Sequence, residues 1–384
     1  MAATGTSAIP VTLEMLSGSG TVATQALLTA MLRAHEQVSD LIFSPGRPPQ
    51  VEVHGQLIAV QAPGLRALTA DETRSIAADL IGSNKQAITI LREQGSCDVS
   101  YGLSGLARFR VNIFIQRGSC AVVMRVISTS VPSFQSLGLP PLLRDVANLR
   151  EGIVLVTGAR GSGKSSTLAA LLDDINEQKT CHIITVEDPI EFLHTHKRST
   201  IHQRELHSDT PNAALALRAA LRQAPSVILL GEMQDRETMQ LVVEAAETGH
   251  LVLSSLNTLD ATKAVERIVS SFSGPEQLAI RGRLAKTFRY IVSQRLIARS
   301  DGSGRVAAIE ILKSNPRTRE CVESGNFSNG ELLDAIKDGL AEGMQSLDGE
   351  IEKLVRAGVV DLETALSHAE NPRDLAKTLE AFQR

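Results

Sequence analysis

The spacing of apolar positions changes character twice along the 384-residue chain. Within residues 24–35, Leu27, Leu28, Met31 and Leu32 fall on one face at helical spacing and predict an amphipathic helix. Short runs then predict strands over 39–44 and 50–53, separated by the turn Pro45-Gly46-Arg47-Pro48-Pro49 and followed by the turn His54-Gly55. Helical periodicity returns over 69–84 and 85–93, and further strands are predicted over 99–101, 107–116 and 120–126. This mixture predicts a first, α+β domain over 23–127. Residues 1–22, rich in Ala, Thr, Ser and Gly with little periodicity, read as a flexible N-terminal extension.

Residues 128–138 are polar and contain Val131-Pro132, which predicts a linker. From residue 139 onward, apolar strand-like runs alternate with helical ones: strands over 153–157, 182–186, 227–230 and 251–255, helices from 164, over 213–223 and over 238–247. Strand and helix in alternation predict an α/β domain, a mostly parallel sheet covered on both faces, over 139–384. Past Pro316 the pattern is helical: Leu347, Ile351, Leu354 and Val355 mark one face, Gly358 reads as a stop, and Asp361 and Asn371-Pro372 read as helix starts.

Length favours two domains. Lys and Arg number 39 against 43 Asp and Glu, so no global basic footprint calls for nucleic acid or an acidic membrane. Trp is absent and Tyr occurs twice, which leaves few stacking platforms for single strands, and no nucleic-acid partner is expected. No apolar stretch is long enough to span a bilayer and the N-terminus lacks a signal-peptide pattern, so the expected location is cytoplasmic, without direct membrane insertion. Cys97, Cys120, Cys181 and Cys321 are widely spaced, with no zinc-ligand pattern, and read as reduced thiols.

The sharpest chemical signal is Gly158-Ala159-Arg160-Gly161-Ser162-Gly163-Lys164-Ser165, followed by Ser166. It matches the phosphate-binding loop G-x-x-x-x-G-K-[ST] and lies between the apolar run Ile153-Val154-Leu155-Val156-Thr157 and a helical pattern carried by Leu168, Leu171, Leu172 and Ile175. Glycines let backbone N–H groups turn toward phosphates at a helix N-terminus. Lys164 supplies a mobile cation, and the Ser165 hydroxyl suits Mg²⁺ bridging the outer phosphates. A nucleoside triphosphate with Mg²⁺ is therefore the expected ligand.

Three other segments carry candidate groups. Val227-Ile228-Leu229-Leu230-Gly231-Glu232 reads as an apolar strand delivering a carboxylate, with Gly231 in place of the usual Asp; Glu232 is the candidate to orient or deprotonate water, the competing reading being a helix-start acid. Glu187-Asp188-Pro189-Ile190-Glu191-Phe192 follows another strand, and its acids suit either Mg²⁺ and water or a solvated turn fixed by Pro189. His250, before the run Leu251-Val252-Leu253, suits either a sensor of phosphate or partner of Glu232, or a structural histidine.

Taken in order and spacing, GARGSGKSS, VEDPIEF, GEMQDRET and TGHLVLSSLNT resemble the secretion-type ATPases of type IV pili, most closely the retraction motors of the PilT/PilU family. The resemblance reaches back to SDLIFSPGRPPQVEVHG and ARFRVNIFIQRG and forward to GMQSLD. It implies a PAS-like first domain, a RecA-like second domain and a homohexamer that drives pilus retraction, and hence twitching motility, against an inner-membrane platform protein, with another pilus ATPase as a further associate. It also specifies ATP as the nucleotide and implies peripheral placement at the inner membrane. Residue by residue, it assigns Glu232 as the catalytic acid, Glu191 as an assistant in hydrolysis, Glu187 as a further acid of the same box, and Arg110 and Arg125 as guanidinium groups directed at phosphates. The family's second histidine is here Asn257, which hydrogen-bonds without becoming cationic. Two alternatives stand beside the retraction motor. One is an extension or secretion motor, whose usual extra N-terminal domain and four-cysteine insert are not in this sequence; the other is a regulatory nucleotide-binding subunit, which Asn257 favours.

Overall fold

The computed structural model describes residues 8–10, 23–61, 66–104, 106–127, 130–325 and 330–382. The chain divides into two compact units, residues 1–130 with 191–193, and residues 131–190 with 194–384.

The first unit contains strands β1 (Ala8–Pro10), β2 (Val38–Phe43), β3 (Gln50–Val53), β4 (Gln56–Gln61), β5 (Ser96–Leu103), β6 (Ala107–Gln116) and β7 (Ser119–Ile127), with helices α1 (Thr24–Arg33), α2 (Ala70–Ile81) and α3 (Lys85–Gln94). They form one sheet in the order β1-β4-β3-β2-β7-β6-β5. The β1–β4 pair is parallel and the others are antiparallel. Alternation along β6 sets its faces: Phe109, Val111 and Ile113 are buried, while Arg110 between them is exposed. The buried face packs with Leu28, Met31, Phe43 and Met124 into one core. Most of the expected N-terminal extension lies outside the described residues; within it, Ala8–Pro10 pairs with β4.

The second unit opens with helix α4 (Phe134–Leu137) and a 3₁₀ segment, Pro141–Asn148. The expected linker over 128–138 is thereby corrected: Phe134 is buried in this unit's core, and the Arg144 guanidinium lies 4.7 Å above its ring. A hydrophobic anchor and a capping box at Ser133 outweigh the polar composition that suggested a spacer.

Seven strands follow: β8 (Gly152–Thr157), β9 (His182–Glu187), β10 (Thr200–Glu205), β11 (Val227–Leu230), β12 (Leu251–Leu256), β13 (Phe288–Ala298) and β14 (Arg305–Lys313). Their order is β10-β9-β11-β12-β8-β13-β14, all neighbours parallel except β13 and β14. Between and after them run α5 (Lys164–Gln178), α6 (Ala213–Ala220), α7 (Arg236–Glu247), α8 (Ala261–Ser270), α9 (Gly274–Thr287), α10 (Pro316–Ser324), α11 (Glu331–Asp338), α12 (Leu347–Arg356), α13 (Leu362–His368) and α14 (Pro372–Phe382).

Alternate residues of each central strand feed opposite cores. Ile153, Leu155, Ile228 and Leu230 join the helices α6 to α9, whereas Val154, Val156, Val227 and Leu229 join α5 and the 3₁₀ segment. A parallel strand covered on both faces is mostly apolar, and β8, β11 and β12 are buried throughout, with polar residues only toward the end that meets the loop. The C-terminal helices build a smaller core on β13 and β14 from Ile297, Ala308, Leu347, Ile351, Ala365 and Leu379. This is the RecA-like α/β architecture expected, with a helical C-terminal region. All four cysteines are free, Cys97 and Cys120 buried.

Candidate nucleotide site

Strand β8 ends at Thr157, and the glycine-rich loop turns directly into α5 at Lys164. Two of its glycines are required by close approach. A Cβ on Gly158, whose φ is 152°, would lie 2.4 Å from Ser162 Oγ and 2.5 Å from the Gln294 carbonyl oxygen. One on Gly163, φ 89°, would lie 2.8 Å from Gln294 Nε2. Gly161, φ 77°, faces open space and needs glycine for its backbone conformation alone. Ala159 and Arg160 are exposed at the loop's crest.

The Lys164 ammonium donates to the carbonyls of Gly158 and Ala159, both at 2.9 Å, and so lies against the loop it follows. Ser165 and Ser166 occupy the first turn of α5, where the helix N-terminus and its dipole favour an anion. The buried hydroxyls of Thr157, where β8 meets the loop, and of Ser162 within it lack hydrogen-bond partners. Glycine-lined backbone, a lysine, a helix N-terminus and unsatisfied hydroxyls together fit a phosphate chain. Among the described residues no cluster of three His, Cys, Asp or Glu suits a metal held by protein alone. A metal there would be shared between a hydroxyl and phosphates, the manner in which Mg²⁺ accompanies nucleotides.

Strands β9, β11 and β12 end at the same edge. Glu187 closes β9, its Oε1 accepting from Thr185 Oγ1 at 2.5 Å and Gln203 Nε2 at 3.1 Å. Glu232 lies two residues beyond β11, and three hydrogen bonds fix that turn: Gly231 N–H to Val186 O at 2.8 Å, Ser255 Oγ to Gly231 O at 2.6 Å, and Met233 N–H to Ser255 O at 3.1 Å. Space does not force glycine at 231, since a Cβ there would sit 3.5 Å from Glu187 Cα, an ordinary contact. Glu232 Oε1 accepts from Asn257 Nδ2, just past β12, while Oε2 has Gln234 Nε2 at 3.5 Å, long for a hydrogen bond.

His250 is a correction. It precedes β12 at the end where Leu251 pairs with Gly152, whereas the loop follows Thr157, the partner of Leu256. Six strand residues separate the two ends, roughly 20 Å at the usual rise. His250 Nδ1 donates to Ala245 O at 2.9 Å and lies 3.2 Å from Thr248 Oγ1. Within the chain it ties α7 to β12 and does not meet Glu232, which is the structural role that the sequence left open beside the sensor.

Arg110 and Arg125 belong to the first unit and stand directly opposite each other on β6 and β7. Arg125 is in turn opposite Asp40 of β2, and its Nε donates to Asp40 Oδ1 at 2.9 Å. The pair therefore forms a positive row on one sheet face with one carboxylate attached. Glu191 groups with this first unit although Glu187, four residues earlier, closes a strand of the second.

Gln294 and Thr167 escaped the sequence reading. The carboxamide of Gln294 on β13 reaches both the loop and α5, donating to Ser162 O at 2.8 Å and accepting from Thr167 Oγ1 at 2.7 Å. The available signal was the polar run Ser293-Gln294-Arg295 between the apolar pairs Ile291-Val292 and Leu296-Ile297.

The profile of the type II/IV secretion system protein family (T2SSE) matches residues 95–363. A twitching motility protein of Neisseria gonorrhoeae is 40% identical over 85% of this chain and 86% of its own length. The type IV pilus retraction ATPase PilT of Pseudomonas aeruginosa is 38% identical over 89% of this chain and 97% of its own. Among solved structures, the pilus retraction motor PilT with bound ADP superposes with a TM-score of 0.82 at 36% identity, covering 92% of this chain and 98% of that one. With a loop built for phosphates at the edge of a RecA-like sheet and this extent of likeness, the chain belongs to the type II/IV secretion system protein family, among its type IV pilus retraction ATPases.

Proposed function

We propose that the chain hydrolyses ATP and uses the energy to retract type IV pili, the process behind twitching motility. The observation that carries this reading is the gathering of the phosphate loop, Glu187 and the Glu232–Asn257 pair at one edge of the parallel sheet. Relatives named for pilus retraction match most of the chain.

In this reading the loop from Gly158 to Ser166 cradles the phosphates, and Lys164 exchanges its contacts with the loop carbonyls for phosphate oxygens. Ser165 and Glu187 would hold Mg²⁺, which when bound would supply positive charge beside the phosphates. Asn257 steadies one oxygen of Glu232, which leaves Oε2 to orient and deprotonate a water. Glu191, Arg110 and Arg125 keep the assisting roles that the family resemblance gives them. His250 does not join the reacting groups of its own chain.

The working unit is a homohexamer that pulls through an inner-membrane platform protein and sits peripherally at that membrane. No helix among the described residues is long and apolar enough to cross it. The test is steady-state turnover by the purified chain, together with equilibrium binding of ADP. Lys164→Ala should lose both. Glu232→Gln should bind ADP as wild type does and turn over at least about 10²-fold more slowly, the scale of a lost general base. Full turnover by Glu232→Gln would remove Glu232 from the mechanism.

A second reading, a regulatory subunit with little hydrolysis, draws on Asn257 in place of histidine. The same measurement separates them, since turnover by the chain without a partner motor eliminates the regulatory role.

A further inference from the structure

The structure assigns Gln294 as a positioning residue that aims the peptide N–H of Gly163 into the phosphate loop; the assignment rests on reading that loop as the nucleotide site. Gln294 is 4% exposed and lies on β13, where Ile291, Val292 and Ile297 are fully buried. A carboxamide in such surroundings is costly unless both of its ends are bonded. Here one end is bonded to the loop and the other to α5: Nε2 donates to the Ser162 carbonyl at 2.8 Å, and Oε1 accepts from the Thr167 hydroxyl at 2.7 Å.

The consequence follows from peptide geometry. Ser162 C=O and Gly163 N–H belong to one planar trans unit and point in opposite directions. Holding the carbonyl on the β13 side therefore turns the Gly163 N–H away from β13, toward the concave side of the loop. The same strand backs the loop at a second point, because the Gln294 carbonyl oxygen comes within 2.5 Å of where a Gly158 Cβ would stand. Pairing of Ser293 with Thr157 fixes the level at which β13 meets the end of β8. Gln294 thus acts through the backbone, reaching the ligand only by way of the peptide that it holds.

The test uses a substitution that keeps shape and changes one hydrogen. In Gln294→Glu, one carboxyl oxygen still accepts from Thr167, but the other faces the Ser162 carbonyl and can donate only when protonated. Burial raises the pKa of such a carboxyl, so the donor is present in acid and lost as pH rises. Equilibrium binding of ADP to the full chain should match wild type near pH 5.5 and fall about tenfold below it near pH 8, the effect of one unsatisfied buried polar group. Returning the same sample to acid should restore affinity, which a misfolded variant would not do. Gln294→Ala should be weaker by a similar factor at every pH. A ratio of Gln294→Glu to wild type that stays constant across pH would overturn the assignment. Lys164→Ala serves as the separate control: undiminished ADP binding there would instead remove the nucleotide reading of the loop.

Discussion

Glu232 and Asn257 show how one substitution bears on chemistry at a single atom. Asn257 donates to Glu232 Oε1, so it reduces the ways in which the carboxylate can present itself, and as an amide it does so without gaining or losing charge with pH. A histidine at that position would become cationic in mild acid and change the charge beside Glu232. Asn257→Ala should leave ADP affinity unchanged and lower kcat by about tenfold, because a carboxylate that is free to rotate loses its orientation toward the water. Steady-state kinetics with a matched binding titration reads this split. Equal loss in binding and turnover would show that Asn257 supports the loop and not the acid.

At the scale of elements, the contact between β13, β14 and α8 contains a buried acid that the reaction does not use. Glu310 on β14 accepts from the Ala261 N–H at 2.9 Å and Ser293 Oγ at 2.8 Å, both through Oε1. Burial, with the nearby charges of Glu370 and Asp260, raises its pKa from 4.5 to about 7, while two donated hydrogen bonds oppose the shift. The native state therefore keeps a proton that the unfolded chain releases near its ordinary value. Between those values the native state binds more protons, so stability falls as pH rises through the window and is lowest above it. The full effect is on the order of 3 kcal/mol. Glu310→Gln keeps the accepting oxygen and removes the charge; chemical denaturation should find it more stable than wild type at pH 8 and nearly equal at pH 5. Equal pH dependence in the two proteins would contradict the assignment of this effect to Glu310.

The same elements show what the sequence could and could not disclose. The strands β8, β9, β11 and β12 were legible because each is buried on both faces and therefore apolar at successive positions. The loop after β8 was legible because glycine spacing and lysine follow from phosphate geometry. β10, β13 and β14 were not. β10 is an edge strand whose outward positions, His202 among them, are polar, and β13 carries the polar run that holds the loop and Glu310. Those polar residues obscure the strand pattern because they are satisfied by partners distant in sequence. Thr167 is 127 residues from Gln294, a pairing that only the assembled sheet reveals. For His250 the sequence left two readings open, because it does not say which end of β12 faces the loop; the register of β12 with β8 puts His250 at the far end.

For the whole molecule, the proposed function makes hydrolysis at the Lys164 and Glu232 site the step that moves a pilus. The most direct measurement follows fluorescently labelled pili in cells whose only copy of this chain carries Glu232→Gln, a variant expected to bind nucleotide and assemble normally. The expected result is pili that extend and then fail to retract, with twitching lost. Pili retracting at the wild-type rate in those cells would contradict it.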